Sequence, residues 1–451
     1  MEYICFILTV MRIALLVLLS GWLLSACSVA TKLQRSAEQT VLNNAALQNA
    51  HVGISIFEPA SGKWWYNHQG DKYFVPASNT KLATCYAAMK FLGDSLVSAR
   101  IAVDEKNRLQ VFPTGDPTVL NPEFPYQPLL LAMRPYKRIL WNIDQWKERR
   151  WGSGWSWNDY DEAYMAERSP FPIYGNVVNF YMVNDTLKAV PFLHPAEASP
   201  VIGYNKESGV AAVKTFQVER ELDENRFFLR QTAAPFSGAV LPLRTSDSVI
   251  SALLADTLNS EVIPSVLAFG HRESPHRRVV HSQPTDSLLK PMMHRSDNFF
   301  AEQALLMVSN ELLGYMSDER VIDTLLKTVY ADLPQKPRWV DGSGLSRYNL
   351  FTPQDLVTIL QKMKAEFGMT RLREILPTGN EGTLKNYYKA DSTAFYAKTG
   401  TLSGVVAISG FLTTKQGKEL IFSVLVNNHN TPAAQVRRAV EAFLQNLRNR
   451  Y

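Results

Sequence analysis

Hydrophobic positions change period several times along this chain, and each change predicts an element. Residues 13–24 are an unbroken apolar run, and 32–49 carry helical spacing. From His51 the period drops to two: 51–57 and 63–67 flank Glu58-Pro-Ala-Ser-Gly62, whose Pro and Gly predict a hairpin. Residues 80–92 are rich in Ala, Leu and Met and stop at Gly93, which predicts a buried helix. Residues 94–241 differ in texture, with short apolar segments, many turns and five of the nine Trp, and read as mostly β. Helical periodicity returns at 245–258 and 287–313. Residues 394–402 predict an edge strand, and the apolar runs 405–412 and 419–427 predict a second hairpin. In the last helix Thr431 is the expected N-cap, Pro432 the first helical residue, and Val436, Val440, Phe443, Leu444 and Leu447 share one face.

Hairpins near both chain ends, each flanked by a helix, imply one antiparallel sheet assembled from the two termini. The expected class is α+β, an antiparallel sheet flanked by helices and interrupted by a mostly β inserted region. The expected division is 1–26 as a leader, 27–93 and 242–451 as the two parts of a main domain, and 94–241 as the insert. A length of 451 residues suits two or three domains. With 46% hydrophobic and 20% charged residues, disorder is excluded as the main state. A net charge of +5 without a long Lys/Arg run gives nucleic-acid binding no support. No internal repeat suggests a solenoid or propeller.

The run at 13–24 has the length of a signal-peptide core and is short for a membrane span. It ends at Leu24-Ser-Ala-Cys27, which resembles the lipobox of bacterial lipoproteins, where the Cys becomes the lipidated first residue. An uncleaved membrane anchor is the alternative. Arg12 interrupts the apolar stretch if Met1 is the start, which favours Met11. Either way the bulk of the chain is expected outside the cytoplasm, in the cell envelope or periplasm, tethered to a membrane. Cys85 then reads as a small buried hydrophobe.

Three motifs occur in order: Ser78-Asn-Thr-Lys81, Ser296-Asp-Asn298 and Lys398-Thr-Gly400. Ser-x-x-Lys alone is weak, with about 1–2 matches expected by chance and a second present at Ser287-Leu-Leu-Lys290. Ser-x-Asn also recurs at Ser156-Trp-Asn158, but Lys-Thr-Gly occurs once, and the ordered set is specific. If Ser78 opens the helix, Lys81 lies on the same face and can reach its hydroxyl. A hydroxyl is a poor nucleophile until a base takes its proton, and a lysine kept neutral by burial and a nearby cation can serve. Lys398 is the expected cation, and the helix N-terminus would stabilise an oxyanion. Ser296 would relay a proton, and Asn298 would bind substrate. On an edge strand, Lys398, Thr399 and Gly400 could receive an extended peptide and its carboxylate.

Plainer readings compete. Ser78 as an N-cap alone is one, and Ser287-Leu-Leu-Lys290 reads as a helical turn leading towards Ser296. His294 beside Ser296 reads as local packing, since no Gly-x-Ser-x-Gly elbow exists. The eight His show no close ligand spacing, so a catalytic metal is not expected. The Trp residues between 141 and 157 fit insert core or a sugar platform.

With these motifs on view, the sequence resembles the D-alanyl-D-alanine carboxypeptidase/endopeptidase family of low-molecular-mass class C penicillin-binding proteins (peptidase family S13, penicillin-binding protein 4 type). The resemblance extends to Thr114-Gly-Asp-Pro117, Gly154-Trp-Ser-Trp-Asn-Asp159, Asp341-Gly-Ser-Gly-Leu-Ser-Arg-Tyr-Asn349, Gly382-Thr-Leu-Lys385 and Ser409-Gly-Phe411. The 218 positions between Ser78 and Ser296 match a catalytic domain interrupted by β-rich inserts. It implies a penicillin-binding/β-lactamase-like transpeptidase domain and a hydrolase that acts on peptidoglycan stem peptides through an acyl-enzyme, with β-lactams as inhibitors and no cofactor. Ser78 would attack the penultimate D-Ala carbonyl, Lys81 would be the base, Ser296 and Asn298 would assist, and Lys398 with Thr399 would bind substrate. The N–H groups of Ser78 and Thr401 would form the oxyanion hole. Asp159, Tyr164 and Arg347 correspond to the family's diaminopimelate contacts. Ser403 stands where some relatives carry Gln, and Tyr164 where some carry Phe. A serine β-lactamase or esterase and a non-catalytic peptidoglycan-binding lipoprotein are the alternatives, and homodimerisation is left open.

Overall fold

The computed structural model describes residues 29–184, 186–191, 215–266 and 277–451. The expected leader and Cys27 lie outside the described residues. In chain order the strands are β1 (His51–Glu58), β2 (Lys63–His68), β3 (Ser95–Val103), β4 (Leu109–Pro113), β5 (Arg138–Asn142), β6 (Val177–Val183), β7 (Thr186–Val190), β8 (Phe216–Arg220), β9 (Phe227–Gln231), β10 (Ala239–Pro242), β11 (Glu261–Ser265), β12 (Arg278–Pro284), β13 (Phe395–Leu402), β14 (Val405–Thr413) and β15 (Glu419–Asn427). The helices are α1 (29–37), α2 (Lys81–Phe91), α3 (Pro128–Met133), α4 (Asp247–Leu258), α5 (Thr285–His294), α6 (Asn298–Leu313), α7 (Asp318–Lys327), α8 (Pro353–Ile375) and α9 (Ala433–Arg450). None of the described helices is long and apolar enough to cross a membrane.

The chain forms two units. One gathers Met1–Asn79, Phe351–Arg373 and Pro377–Tyr451, the other Thr80–Leu350 and Glu374–Leu376.

The first unit is built on the sheet expected from the terminal hairpins, in the order β13-β14-β15-β1-β2. Every pairing is antiparallel, and the two chain ends meet where β1 pairs with β15, from His51 opposite Asn427 to Phe57 opposite Ile421. Ile54, Ile56, Val424 and Val426 of the sheet share a core with the α9 stripe Val436, Val440, Phe443, Leu444 and Leu447. Each such side chain contributes about 1.5–3 kcal/mol on burial. The helix starts one residue later than its sequence suggests, at Ala433, because the Thr431 hydroxyl donates to the Ala46 carbonyl instead of capping. The single helix expected over 32–49 is divided into α1, a π-turn at Glu38–Leu42 and a 3₁₀ turn at Ala45–Leu47. Asn44 explains the break: its side chain donates to the Thr40 carbonyl and accepts from the Ala46 N–H, bonds that compete with a regular helix.

The second unit holds a five-stranded sheet, β11-β5-β4-β3-β12, in which β5 runs parallel to β4 and β11. A three-stranded sheet β10-β6-β7 and the ribbon β8-β9 complete its β structure. The five-stranded sheet begins inside the 94–241 segment but takes β11 and β12 from beyond it. Helix α4 packs Val249, Ile250, Leu253, Leu254 and Leu258 into the same core as Ala99, Val111 and Ile139 of that sheet. Trp141 also belongs to this core, donating to the Ser251 hydroxyl at 2.9 Å, whereas Trp157 is 71% exposed. Helices α2 and α6 are buried over most of their length, as a helix apolar on all sides must be. Cys85 is buried in α2. Ser287-Leu-Leu-Lys290 forms part of α5, whose Leu288 and Leu289 are buried.

Candidate active site

The residues singled out by the motifs divide between the two units. Ser78, Lys398, Thr399, Gly400 and Thr401 fall on the first; Lys81, Ser296, Asn298, Asp159, Tyr164 and Arg347 fall on the second.

In the first unit the backbone leading to Ser78 is clamped. Asn427, at the end of β15, accepts the Val75 N–H at 2.7 Å and donates to the Val75 carbonyl at 3.1 Å. Phe74 and Phe351 exchange backbone hydrogen bonds of 2.9 and 3.0 Å, and the Phe74 ring stacks on His51. Buried Ala77 then adopts φ 46°, a left-handed conformation that costs a residue with a Cβ about 1–3 kcal/mol. Ser78 lies in a 3₁₀ turn, Ala77–Thr80, and α2 begins only at Lys81. The serine therefore precedes the α-helix rather than opening it.

Strand β13 is the sheet edge expected for Lys398-Thr-Gly400. Lys398 is buried and donates to the Thr399 carbonyl at 2.6 Å. The Thr399 hydroxyl donates to that of Thr383 at 2.7 Å, and Thr401 accepts from Arg437 at 2.6 Å. A Cβ on Gly400 would stand 2.8 Å from the Pro76 carbonyl oxygen and 3.0 Å from the Ser78 nitrogen. Strand and serine turn thus approach as closely as only glycine permits.

In the second unit, the Lys81 amine is wholly buried and donates to Asn298 Oδ1 at 2.7 Å and to the Ser343 carbonyl at 2.7 Å. Burial pulls its pKa down to about 8, against the carboxylates of Asp341, Glu302 and Asp297, which push it up. Asn298 is the first residue of α6, and its Nδ2 donates to the Tyr164 carbonyl at 3.0 Å. Asp297 caps that helix by accepting from the Phe300 N–H, and Ser296 before it takes φ 64°.

The Asp341–Asn349 loop is the element that sequence reasoning underrated. Its backbone is satisfied group by group: the Gly342 carbonyl by the Thr84 hydroxyl at 2.6 Å, the Ser343 N–H by Glu302 at 2.7 Å, and the Gly344 and Ser346 N–H groups by Asp341. Trp155 and Asn349 also donate to Asp341. Glu302 sits one turn beyond Asn298 on α6, a spacing that puts both on one face and could have pointed to it. Its buried carboxyl is pushed up to about 8 by burial and by Asp341, with Arg168 acting in the opposite sense. Buried Arg168 also meets Glu148 and Asp318.

Of the three expected diaminopimelate contacts, Asp159 and Tyr164 are brought together. Burial and the hydrogen bond to Asp159 push the Tyr164 phenol up to about 12. Arg347 is exposed on the Asp341–Asn349 loop, next to Tyr348. A Cβ on Gly154 would stand 2.6 Å from the Tyr348 ring, so the loop packs closely on that turn. No group of three or more His, Cys, Asp or Glu among the described residues is arranged to hold a metal ion.

A family model, the D-Ala-D-Ala carboxypeptidase 3 (S13) family, matches residues 33–447. A D-alanyl-D-alanine carboxypeptidase of Actinomadura sp. is 26% identical over 87% of this chain and 80% of its own. D-alanyl-D-alanine carboxypeptidase DacB of Haemophilus influenzae is 25% identical over 85% of this chain and 87% of its own. The crystal structure of penicillin binding protein 4 (dacB) from H. influenzae has a similar fold, with a TM-score of 0.68 at 20% identity, covering 92% of this chain and 98% of that one.

Proposed function

Because the chain belongs to the D-Ala-D-Ala carboxypeptidase 3 (S13) family, we propose that it is a serine DD-carboxypeptidase and DD-endopeptidase of the cell envelope. In this reading it cleaves D-Ala-D-Ala or D-Ala-diaminopimelate bonds of peptidoglycan stem peptides and is inhibited by β-lactams. Ser78 Oγ attacks the penultimate D-Ala carbonyl, forming an ester and releasing the C-terminal amine; water then hydrolyses the ester.

The observation that carries the reading is the setting of Lys81. Three residues after Ser78, its amine is buried, has a pKa near 8, and donates to two fixed acceptors. A neutral amine has two N–H donors and one lone pair. Asn298 Oδ1 and the Ser343 carbonyl fix the position of the amine, and in its neutral form the lone pair serves to accept the Ser78 proton. At pH 7 about one amine in ten is neutral, near the compromise between availability and basicity that general-base catalysis favours. The contact of Gly400 with the Ser78 nitrogen supports an oxyanion hole formed by the Ser78 and Thr401 N–H groups. Lys398 and Thr399 bind the substrate carboxylate, Ser296 relays the proton to the leaving amine, and Asp159, Tyr164 and Arg347 receive the diaminopimelate side chain. We further propose that Cys27 carries a lipid anchor and that 94–241 is the insert between the two parts of the catalytic domain.

Acylation of a soluble form starting at Ser28 by a fluorescent penicillin, with the adduct located by peptide mass spectrometry, tests this. Label on Ser78 that is absent from Ser78→Ala is the expected result, followed by D-Ala release from a stem pentapeptide. Folded protein that takes no label would overturn the acyl-enzyme reading in favour of a binding lipoprotein, and rapid turnover of the adduct would favour a β-lactamase.

A further inference from the structure

Lys81 is held by a residue that none of the three motifs contains. We propose that Glu302 is the positioning residue of the general base: through the backbone of Ser343 it fixes where the Lys81 amine sits, and once ionised its carboxylate opposes the loss of that amine's proton. The inference rests on the assignment of Lys81 as the base.

The geometry is a short relay. Glu302 Oε1 accepts the Ser343 N–H at 2.7 Å, and the carbonyl of the same residue accepts from Lys81 Nζ at 2.7 Å. The neighbouring backbone groups are tied down by Thr84 and Asp341, so Ser343 has little room to move. Helix α6 carries both Asn298 and Glu302, so one rigid element delivers one acceptor to the amine directly and orients the other. Gly342 makes this possible: a Cβ there would stand 2.6 Å from the Ala301 carbonyl oxygen, so a larger residue would lift the loop off the helix.

Glu302 is not simply the partner of Arg168. That guanidinium meets Glu302 at 3.4 Å, but it meets Glu148 at 3.2 Å, the carbonyls of Arg149 and Trp151 at 3.1 and 3.2 Å, and Asp318 more closely still. The shorter bond of Glu302 is the one to Ser343. The other charged groups acting most strongly on Lys81 include Asp341 and Asp297; those acting on Glu302 include Asp341, Arg168 and Asp318. A carboxylate beside an ammonium stabilises its charged form, so removing that charge favours the free amine.

Two variants separate reach from charge. Glu302→Gln keeps an acceptor for the Ser343 N–H and removes the charge; Glu302→Asp keeps the charge and shortens the reach by one methylene. The rate of Ser78 acylation by a fluorescent penicillin is measured from pH 6 to 10 for the wild type, both variants and Ser78→Ala. Glu302→Gln is expected to move the rising limb of the profile to lower pH by about one unit. Glu302→Asp is expected to leave the limb in place and lower the plateau about tenfold, because the amine is displaced. A Glu302→Gln profile that superimposes on the wild type, or one merely scaled down, overturns the proposal. Should Glu302→Gln not fold, the Lys81 ε-methylene resonance of the wild type is titrated by NMR. Two linked steps, its own and that of Glu302, support the proposal, and a single step overturns it. Wild type labelled no better than Ser78→Ala would instead remove the acyl-enzyme reading, and this inference with it.

Discussion

The surroundings of Ser78 and those of Lys81 are held by different forces, although only three residues separate them in sequence. The serine turn is fixed by neutral hydrogen bonds and by shape: Asn427 on the Val75 backbone, the Phe74 and Phe351 bridge, and the bare Cα of Gly400. The acceptors of the lysine are backed by buried charge, with Glu302, Asp341 and Arg168 arranged around one loop. Neutral bonds and steric contacts change little with pH, whereas buried carboxyls and amines respond to it strongly. The proposed nucleophile is therefore placed by geometry that is constant over the working range, and its proposed base by electrostatics that can be tuned.

The largest expected effect falls on the charged side. Arg168→Met leaves Glu148, Glu302 and Asp318 without their shared cation and should cost about 3–5 kcal/mol in denaturant unfolding at pH 10. Glu148 and Glu302 are already pushed up, to about 7 and about 8, with Arg168 opposing the rise. Removing Arg168 raises them further, so the deficit should be full only above the raised values of the variant, where the carboxyls are ionised in both proteins. It should shrink as pH falls towards 6 and they take up protons. A deficit that is independent of pH would mean that Arg168 acts by packing.

On the steric side, Gly400→Val places a branched Cβ against the Pro76 carbonyl and the Ser78 nitrogen. Acylation by penicillin should fall about a hundredfold, the scale of a 1 Å misplacement of reacting groups. The shape of the pH profile should stay unchanged. The wild-type profile itself sharpens the contrast: with Lys81 near 8, the acylation rate should rise about tenfold per pH unit below 7 and level off above 9. The smallest effect is expected from Thr383→Val, which keeps the shape of the side chain and loses the hydroxyl that accepts from Thr399. A loss of about 1 kcal/mol in stability, read by urea unfolding, is the expected size for one neutral hydrogen bond.

The parts legible in the sequence were those encoded locally. The period-two run at 51–57 and the apolar runs at 405–412 and 419–427 announce strands that pair as expected, and the edge position of Lys398-Thr-Gly400 follows from its place next to a hairpin. The supports of Lys81 were harder to read because they act at long range and through backbone atoms. Ser343 lies 262 positions away and contributes a carbonyl, which leaves no trace in residue type. Arg168 meets partners up to 150 positions distant, and nothing local marks it as buried. Helix α4 resembles a return to the main domain because its apolar stripe is regular, yet a stripe does not say which sheet it will cover. Asn44 shows the reverse case, a local side-chain choice overriding a helical pattern that looked continuous.

The contact at Gly400 has a consequence for inhibitors and for evolution alike. Under the proposed function, a ligand adding to the β13 edge would bear on backbone that leaves no room for a Cβ beside the Ser78 nitrogen, so a shift of the strand would reach the serine turn. On that reading, affinity and reactivity would be linked at this edge. A substitution that loosens the grip on a β-lactam by reshaping this edge would also slow attack on the natural peptide, which narrows the routes to resistance open at the strand itself.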